Sequence, residues 1–238
     1  MRKTPEPVRK WTWPHYYFGA WATRMLCRLA GGYQVRGKEN VPRSGGAILC
    51  ANHISYLDPP VLGGAVTPRR TYFMAKKELF EVPVLGALIR KSYAFPVDRE
   101  HFDREAIRNA IDLLQKGEFV VVFPEGQRSP DGSLQPANTG PALMASKAGV
   151  PIMPVAIKGT DDVMQRGRKG LHRGRVFVDI GEPIHPTRFG EGKLDKDQLT
   201  AFTEAVMSSI EALQMEQYAR LGEVAPPRVR EEQSTDSD

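Results

Sequence analysis

Ala47-Ile48-Leu49-Cys50-Ala51-Asn52-His53-Ile54-Ser55-Tyr56-Leu57-Asp58 is the stretch on which the fold turns. Five apolar residues follow the turn signal Gly45-Gly46 and stop abruptly at Asn52-His53. Pro59-Pro60 then begins a new element. A short continuous apolar run bounded in this way predicts a buried strand with polar side chains at its end.

Further runs of the same kind lie along the chain. Phe119–Phe123, Phe-Val-Val-Val-Phe, is a second buried strand. Val150–Ile157 is a third, although its prolines suggest an edge or a bulge for part of it. Strands are also expected over 33–36, 71–75 and 94–97. Over 176–180, Val176, Val178 and Ile180 alternate with Phe177 and Asp179. Helices fit between them: 13–30, 77–90 with a break at Pro83, 103–116, 139–148 and 196–220. In the last of these Leu199, Phe202, Val206, Ile210 and Leu213 recur at spacings of 3, 4, 4 and 3. Strands alternating with helices imply an α/β fold with a mixed, largely parallel sheet flanked by helices. Ligands in such sheets gather at strand ends.

The chain has 238 residues, 41% of them hydrophobic and 26% charged, which suits one folded domain. Residues 33–221 are expected to form it, with a basic arm and helix before it (1–32) and a disordered acidic tail after it (222–238). Cys27 and Cys50 form no C-x-x-C pattern, so a disulfide framework and a zinc finger are excluded. No apolar stretch reaches the length needed to span a bilayer. Charge is uneven: residues 1–43 carry nine Lys/Arg against Glu6 and Glu39, whereas the whole chain is only +5. In this basic region lies an amphipathic aromatic helix with Tyr16, Tyr17, Phe18 and Trp21, and with Arg24 and Arg28 on one face. Such a helix suits the head-group layer of a membrane. Packing on the domain through the aromatics is the other reading.

Four clusters carry the chemistry or frame it. In the first, His53 and Asp58 can meet if the backbone turns between them, so that the carboxylate fixes the imidazole tautomer and leaves the other nitrogen as a base. The second, Phe95-Pro96-Val97-Asp98-Arg99, and the third, Phe123-Pro124-Glu125-Gly126-Gln127-Arg128-Ser129, each place an arginine just beyond a strand. Guanidinium groups suit phosphate, and a glycine beside the acid lets backbone approach a ligand. The fourth, Val150–Ile157, is apolar and reads as core. Ser55 and Ser129 lack the G-x-S-x-G elbow, the phosphate-cradling glycine loops are absent, and no second metal ligand is spaced to join His53. No nucleic-acid-binding signature accompanies the basic charge.

In their order and spacing the four clusters, together with Ala75-Lys76-Lys77-Glu78-Leu79, resemble the glycerolipid acyltransferases, and most closely the lysophosphatidate acyltransferases. The resemblance covers roughly residues 35–185. It implies transfer of a fatty acyl chain from acyl-CoA or acyl-carrier protein to the free sn-2 hydroxyl of lysophosphatidate, without an acyl-enzyme. His53 is then the general base and Asp58 its orienting partner. Lys76, Arg99 and Arg128 hold the acceptor phosphate, and Glu125 and Gly126 shape its pocket. No metal or organic cofactor is implied, and the protein is expected to be peripheral, on the cytoplasmic face of a membrane. The sequence departs from the family at Gln127, where Thr is commonest, at Asn138, where Lys is frequent, and at Tyr93, often Gly. These departures bear on the head group of the acceptor. Another lysophospholipid, glycerol 3-phosphate or an aminolipid is the alternative acceptor, water is an alternative to any of them, and a non-enzymatic membrane-binding module is the alternative of a different class.

Overall fold

A computed structural model describes residues 13–83, 85–98, 103–165, 167–168 and 170–230. The basic arm, Arg99 and the last eight residues of the expected tail lie outside the described residues.

The strands are β1 (Tyr33–Arg36), β2 (Ala47–Ala51), β3 (Thr71–Lys76), β4 (Ala94–Val97), β5 (Phe119–Val122), β6 (Ile152–Lys158) and β7 (Val176–Ile180). The α-helices are α1 (Trp13–Ala30), α2 (Asp58–Ala65), α3 (Leu85–Lys91), α4 (Arg104–Gln115), α5 (Gly140–Ala148), α6 (Thr160–Val163) and α7 (Lys196–Arg220). The strands form one sheet in the order β1-β7-β6-β2-β5-β3-β4. Every neighbouring pair is parallel except β6 and β7. The expected mixed, largely parallel sheet is therefore present.

Strand alternation divides the core into two faces. Ile48 and Cys50 of β2 and Val120 and Val122 of β5 pack with α4, α5 and α7 through Leu114, Ala145, Phe202 and Ile210. Ala47, Leu49 and Ala51, with Phe119 and Val121, pack with α1 and α2 through Cys27, Val61 and Leu62. All five residues of β2 are buried, because the strand is covered on both faces and paired on both edges. Asp103 caps α4 by accepting from the backbone N–H of Glu105 and Ala106, and Asp195 opens α7 with a capping box completed by Gln198.

Pro154 departs from expectation. It lies inside β6, between β2 and β7, rather than on an edge. Its carbonyl accepts from Gly181 N–H at 2.8 Å, just where β7 ends and the chain runs on through Pro183. The missing proline N–H would point to the same side, where the antiparallel ladder has already stopped at Val155–Ile180. Tyr93 departs as well. It holds a left-handed φ of 63°, and burial between Tyr16 and Tyr72, with ring centroids at 5.6 and 5.3 Å, offsets that strain.

The helix α1 divides its aromatics between the two readings. Tyr16 is buried on Thr71, Tyr17 donates to the Pro68 carbonyl, and Arg24 turns inward to the Gly64 carbonyl. Phe18, Trp21 and Leu29 point outward and are more than half exposed. Residues 222–230, expected to open the disordered tail, run back along the domain. Arg228 pairs with both carboxylate oxygens of Glu204, and Val229 N–H bonds to the Leu134 carbonyl.

At the edge of the sheet where β2, β3 and β5 begin, Arg69 gathers three loops. Its guanidinium donates to the carbonyls of Arg43, Gly45 and Gly117 and lies 4.4 Å from the centroid of Phe119. Replacing Arg69 with Ala should cost about 2 kcal/mol in urea unfolding. Arg69→Lys should recover less than half of that, because an ammonium cannot serve three carbonyls and a ring together.

Candidate active site

The parallel strands β2, β3, β4, β5 and β6 all end on the same edge of the sheet, and the polar clusters leave from those ends. At the end of β2, Asn52 spends its amide on the neighbouring strand. Its Nδ2 donates to the Ile157 carbonyl at 2.9 Å and its Oδ1 accepts from Ile157 N–H at 2.7 Å. The ends of β2 and β6 are thereby stapled, and His53 follows at once.

His53 Nδ1 lies 2.8 Å from Asp58 Oδ2, and Asp58 has no exposed surface. The same oxygen accepts from the backbone N–H of Ile54 at 2.7 Å and of Ser55 at 2.8 Å. Asp58 Oδ1 accepts the hydroxyl of Thr160. With donors on every side the carboxyl is an acceptor, so His53 Nδ1 is the donor in their contact. The ring is stacked on Phe123, with centroids 4.0 Å apart and planes at 18°. His53 and Asp58 thus meet as the sequence predicts.

Glu125 ties two loops together. Its Oε1 accepts from His53 N–H at 2.8 Å and its Oε2 accepts from Gln135 N–H at 3.0 Å. The side chain is a brace between the loop after β2 and the loop after β5. Burial pushes its carboxyl up to about 7; the two backbone donors oppose that shift and the charge of Asp58 adds to it. Gly126 holds a φ of 72° beside it, with nothing within 4 Å of where a Cβ would stand. The left-handed φ is what favours glycine at this position. Arg128 is half-buried, with Cζ 3.7 Å from the centroid of the Tyr56 ring. Such stacking holds the guanidinium while its in-plane N–H groups stay available. Lys76 ends β3 on the same edge, with Nζ 3.7 Å from Glu78. The position of Arg99 is outside the described residues; Asp98 just before it receives Lys77 at 2.6 Å.

Sequence reasoning missed Thr160, Phe123, Gln135 and Tyr56. Thr160 is 102 positions from Asp58 in the chain and belongs to no motif. Gln135 acts through its backbone, which composition does not reveal. The serines near the site are structural: Ser55 is 1% exposed and its hydroxyl receives Leu57 N–H, while Ser129 N–H bonds to the His53 carbonyl at 2.7 Å. Asn138, one of the departures, clips the loop by donating to the Pro124 carbonyl and accepting from Gly140 N–H. Among the described residues no group of three His, Cys, Asp or Glu is placed to hold a metal.

A family model described as Acyltransferase matches residues 32–158. The 1-acyl-sn-glycerol-3-phosphate acyltransferase of Bacillus subtilis (strain 168) is 34% identical over 199 residues, which is 84% of this chain and 96% of that protein. A chloroplastic 1-acyl-sn-glycerol-3-phosphate acyltransferase of Brassica napus, BAT2, is 33% identical over 159 residues, 65% of this chain; the chain spans only 45% of that longer relative. Among solved structures, the crystal structure of the 1-acyl-sn-glycerophosphate (LPA) acyltransferase PlsC from Thermotoga maritima superposes with a TM-score of 0.66. It is 30% identical and the match covers 87% of this chain and 84% of that one.

The brace makes a signed prediction. Glu125 binds its proton more tightly folded than unfolded, so stability falls as pH rises from its ordinary range near 4.5 to about 7 and the loss is complete above that. Unfolding free energies of the natural protein and of Glu125→Gln should therefore diverge with pH. From about pH 5 to about pH 8 the natural protein should lose roughly 2 kcal/mol relative to the variant. A difference that stays constant with pH would show that Glu125 does not titrate there.

Proposed function

The chain belongs to the Acyltransferase family, and from that premise we propose that it transfers a fatty acyl chain from a thioester, acyl-CoA or acyl-carrier protein, to the sn-2 hydroxyl of lysophosphatidate, giving phosphatidate. The observation that carries this reading is the buried pair of His53 and Asp58, 2.8 Å apart at the end of a central strand.

In this mechanism Nε2 of His53 takes the proton of the acceptor hydroxyl. The oxygen attacks the thioester carbonyl, and the charge that develops on the imidazolium is balanced by Asp58. The tetrahedral intermediate collapses, the carbon–sulfur bond breaks, and the imidazolium returns its proton to the leaving thiolate. Each proton is thus accounted for, and no residue of the protein is acylated. The carboxylate keeps Nδ1 protonated and the ring in place, as a general base requires. Arg128 supplies forked donors to the acceptor phosphate from its perch on Tyr56. Lys76 and Arg99 are proposed to complete that contact, and Gly126 lets backbone come close to it. The protein uses no resident cofactor in this scheme.

The acceptor is a membrane lipid, and we place the enzyme on the cytoplasmic face as a peripheral protein. No helix among the described residues is long and apolar enough to cross a membrane. The outward face of α1, with Phe18, Trp21 and Leu29 exposed, is the surface that would enter the head-group layer. Sedimentation with anionic vesicles should capture the protein, and Phe18→Ser combined with Trp21→Ser should lower the bound fraction at least about fivefold.

The reaction itself is checked by following free thiol and phosphatidate together, with lysophosphatidate and a long-chain acyl donor in mild detergent. Both products should depend on the acceptor. His53→Ala should lower kcat by ~10²–10⁴-fold with the circular dichroism spectrum unchanged. Arg128→Ala should raise KM for lysophosphatidate about tenfold or more and leave transfer to an unphosphorylated monoacylglycerol unaffected. Full activity in His53→Ala would sink the mechanism.

A further inference from the structure

Asp58 has no access to water, so each of its oxygens must be satisfied from within the protein. Oδ2 is served by its own loop: the imidazole of His53 and the backbone N–H groups of Ile54 and Ser55. Oδ1 is served from far away, by the hydroxyl of Thr160, itself fully buried. We propose that Thr160 is a positioning residue of the transfer reaction, holding Asp58 as the fixed, ionised partner that orients His53. The inference rests on the general-base reading of His53 and adds a residue to it.

The fold goes to some length to deliver this hydroxyl. The strand β6 ends at Lys158, and Gly159 then turns the chain with a φ of 82°. A Cβ at Gly159 would overlap the carbonyl oxygen of Arg175, so the turn is open to glycine alone. It sets Thr160 at the first position of α6. Two residues before the turn, Ile157 is stapled to Asn52 in both directions. The ends of β2 and β6 are thus in fixed register on one side of the Asp58–Thr160 bond, and Gly159 fixes the approach on the other. The apolar cluster Val150–Ile157 acquires a purpose through Thr160, three residues beyond its end.

A hydroxyl is the group this position needs. Valine has the same shape and would set a methyl group against Oδ1, leaving a buried carboxylate oxygen without a donor. Among the described residues, the charge of Asp58 acts on Glu125, after β5, and on Asp161 of α6, both carboxyls. Neither can replace a lost donor while ionised. Without Thr160 the pair of His53 and Asp58 binds a proton more readily, so activity is lost at a higher pH on the acid side.

The test compares the natural protein with Thr160→Val, Thr160→Ser and His53→Ala in the same mixed micelles. kcat and KM for lysophosphatidate are measured across pH, and melting temperature is recorded for each variant. Thr160→Val should lower kcat by about 10- to 100-fold, keep KM within about twofold, and raise the acid limb of kcat/KM by roughly one pH unit. Thr160→Ser should restore the acid limb and bring kcat to within about threefold. If Thr160→Val does not fold, Thr160→Ala, which opens space instead of filling it, is read in the same way. A folded variant without the hydroxyl that keeps the natural kcat and acid limb overturns the inference. So does an equal loss in Ser and Val with the limb unmoved, which would mark a packing role alone. An active His53→Ala would bring down the general-base reading beneath it, whereas an inactive His53→Ala beside an unaffected Thr160→Val would bring down this inference only.

Discussion

A carboxylate shut away from water has to be solvated by the protein, and the arrangement around Asp58 follows from that need. Two of its four donors are backbone N–H groups of the loop it closes, which bends the chain between His53 and Asp58 back on itself. The bend turns the imidazole onto the same oxygen. It also lets α2 begin at Asp58, where Pro59 and Pro60 have no N–H groups left to satisfy and where a negative charge meets the positive end of a helix. Loop, helix start and ring orientation are therefore consequences of one buried charge. Such a charge is stable only while all of its partners are present.

The partners come together because β2 lies between β6 and β5. The loop after β6 brings Thr160 to Asp58, and the loop after β5 brings Glu125 to the backbone of His53. His53 is thus held at its side chain, through Asp58, from one neighbour and at its main chain from the other, with Phe123 closing one face of the ring. Arg128 is placed more lightly, by a ring that is itself 58% exposed. Rigidity is concentrated on the group proposed to move a proton, and adaptability on the group proposed to meet the lipid phosphate. That division suits an acceptor presented from a fluid surface.

Much of this was legible in the sequence, for reasons that can be stated. Buried strands announce themselves as apolar runs, and His53 and Asp58 are close enough in the chain for one turn to join them. Pro154 misled because composition gives no sign that β7 ends opposite it. Tyr93 looked like a departure bearing on the head group, yet it is buried among tyrosines that hold its unusual backbone. The resemblance makes Glu125 a residue that shapes the phosphate pocket; that both its oxygens are engaged by backbone N–H groups of two loops is nothing a local pattern reveals. Arg228 looked like part of a polar tail, but its ion pairs with α7 depend on a path of the chain that no local pattern encodes. Thr160 was hidden by distance along the chain.

Strand order also decides when the enzyme can come into being. The strand that leads to His53 is the second to be synthesised, but its hydrogen-bonding neighbours are the fifth and sixth, at Phe119–Val122 and Ile152–Lys158. The first strand waits longer still, for Val176–Ile180. Contacts so far apart in sequence form slowly, because the loops between them must be closed before pairing rewards the closure. During that interval Ala47–Ala51 is an apolar segment with both edges bare. The strand that leads into the site is therefore open to misassembly while the chain is being made, and both its edges are covered only once β6, which ends at Lys158, has been synthesised.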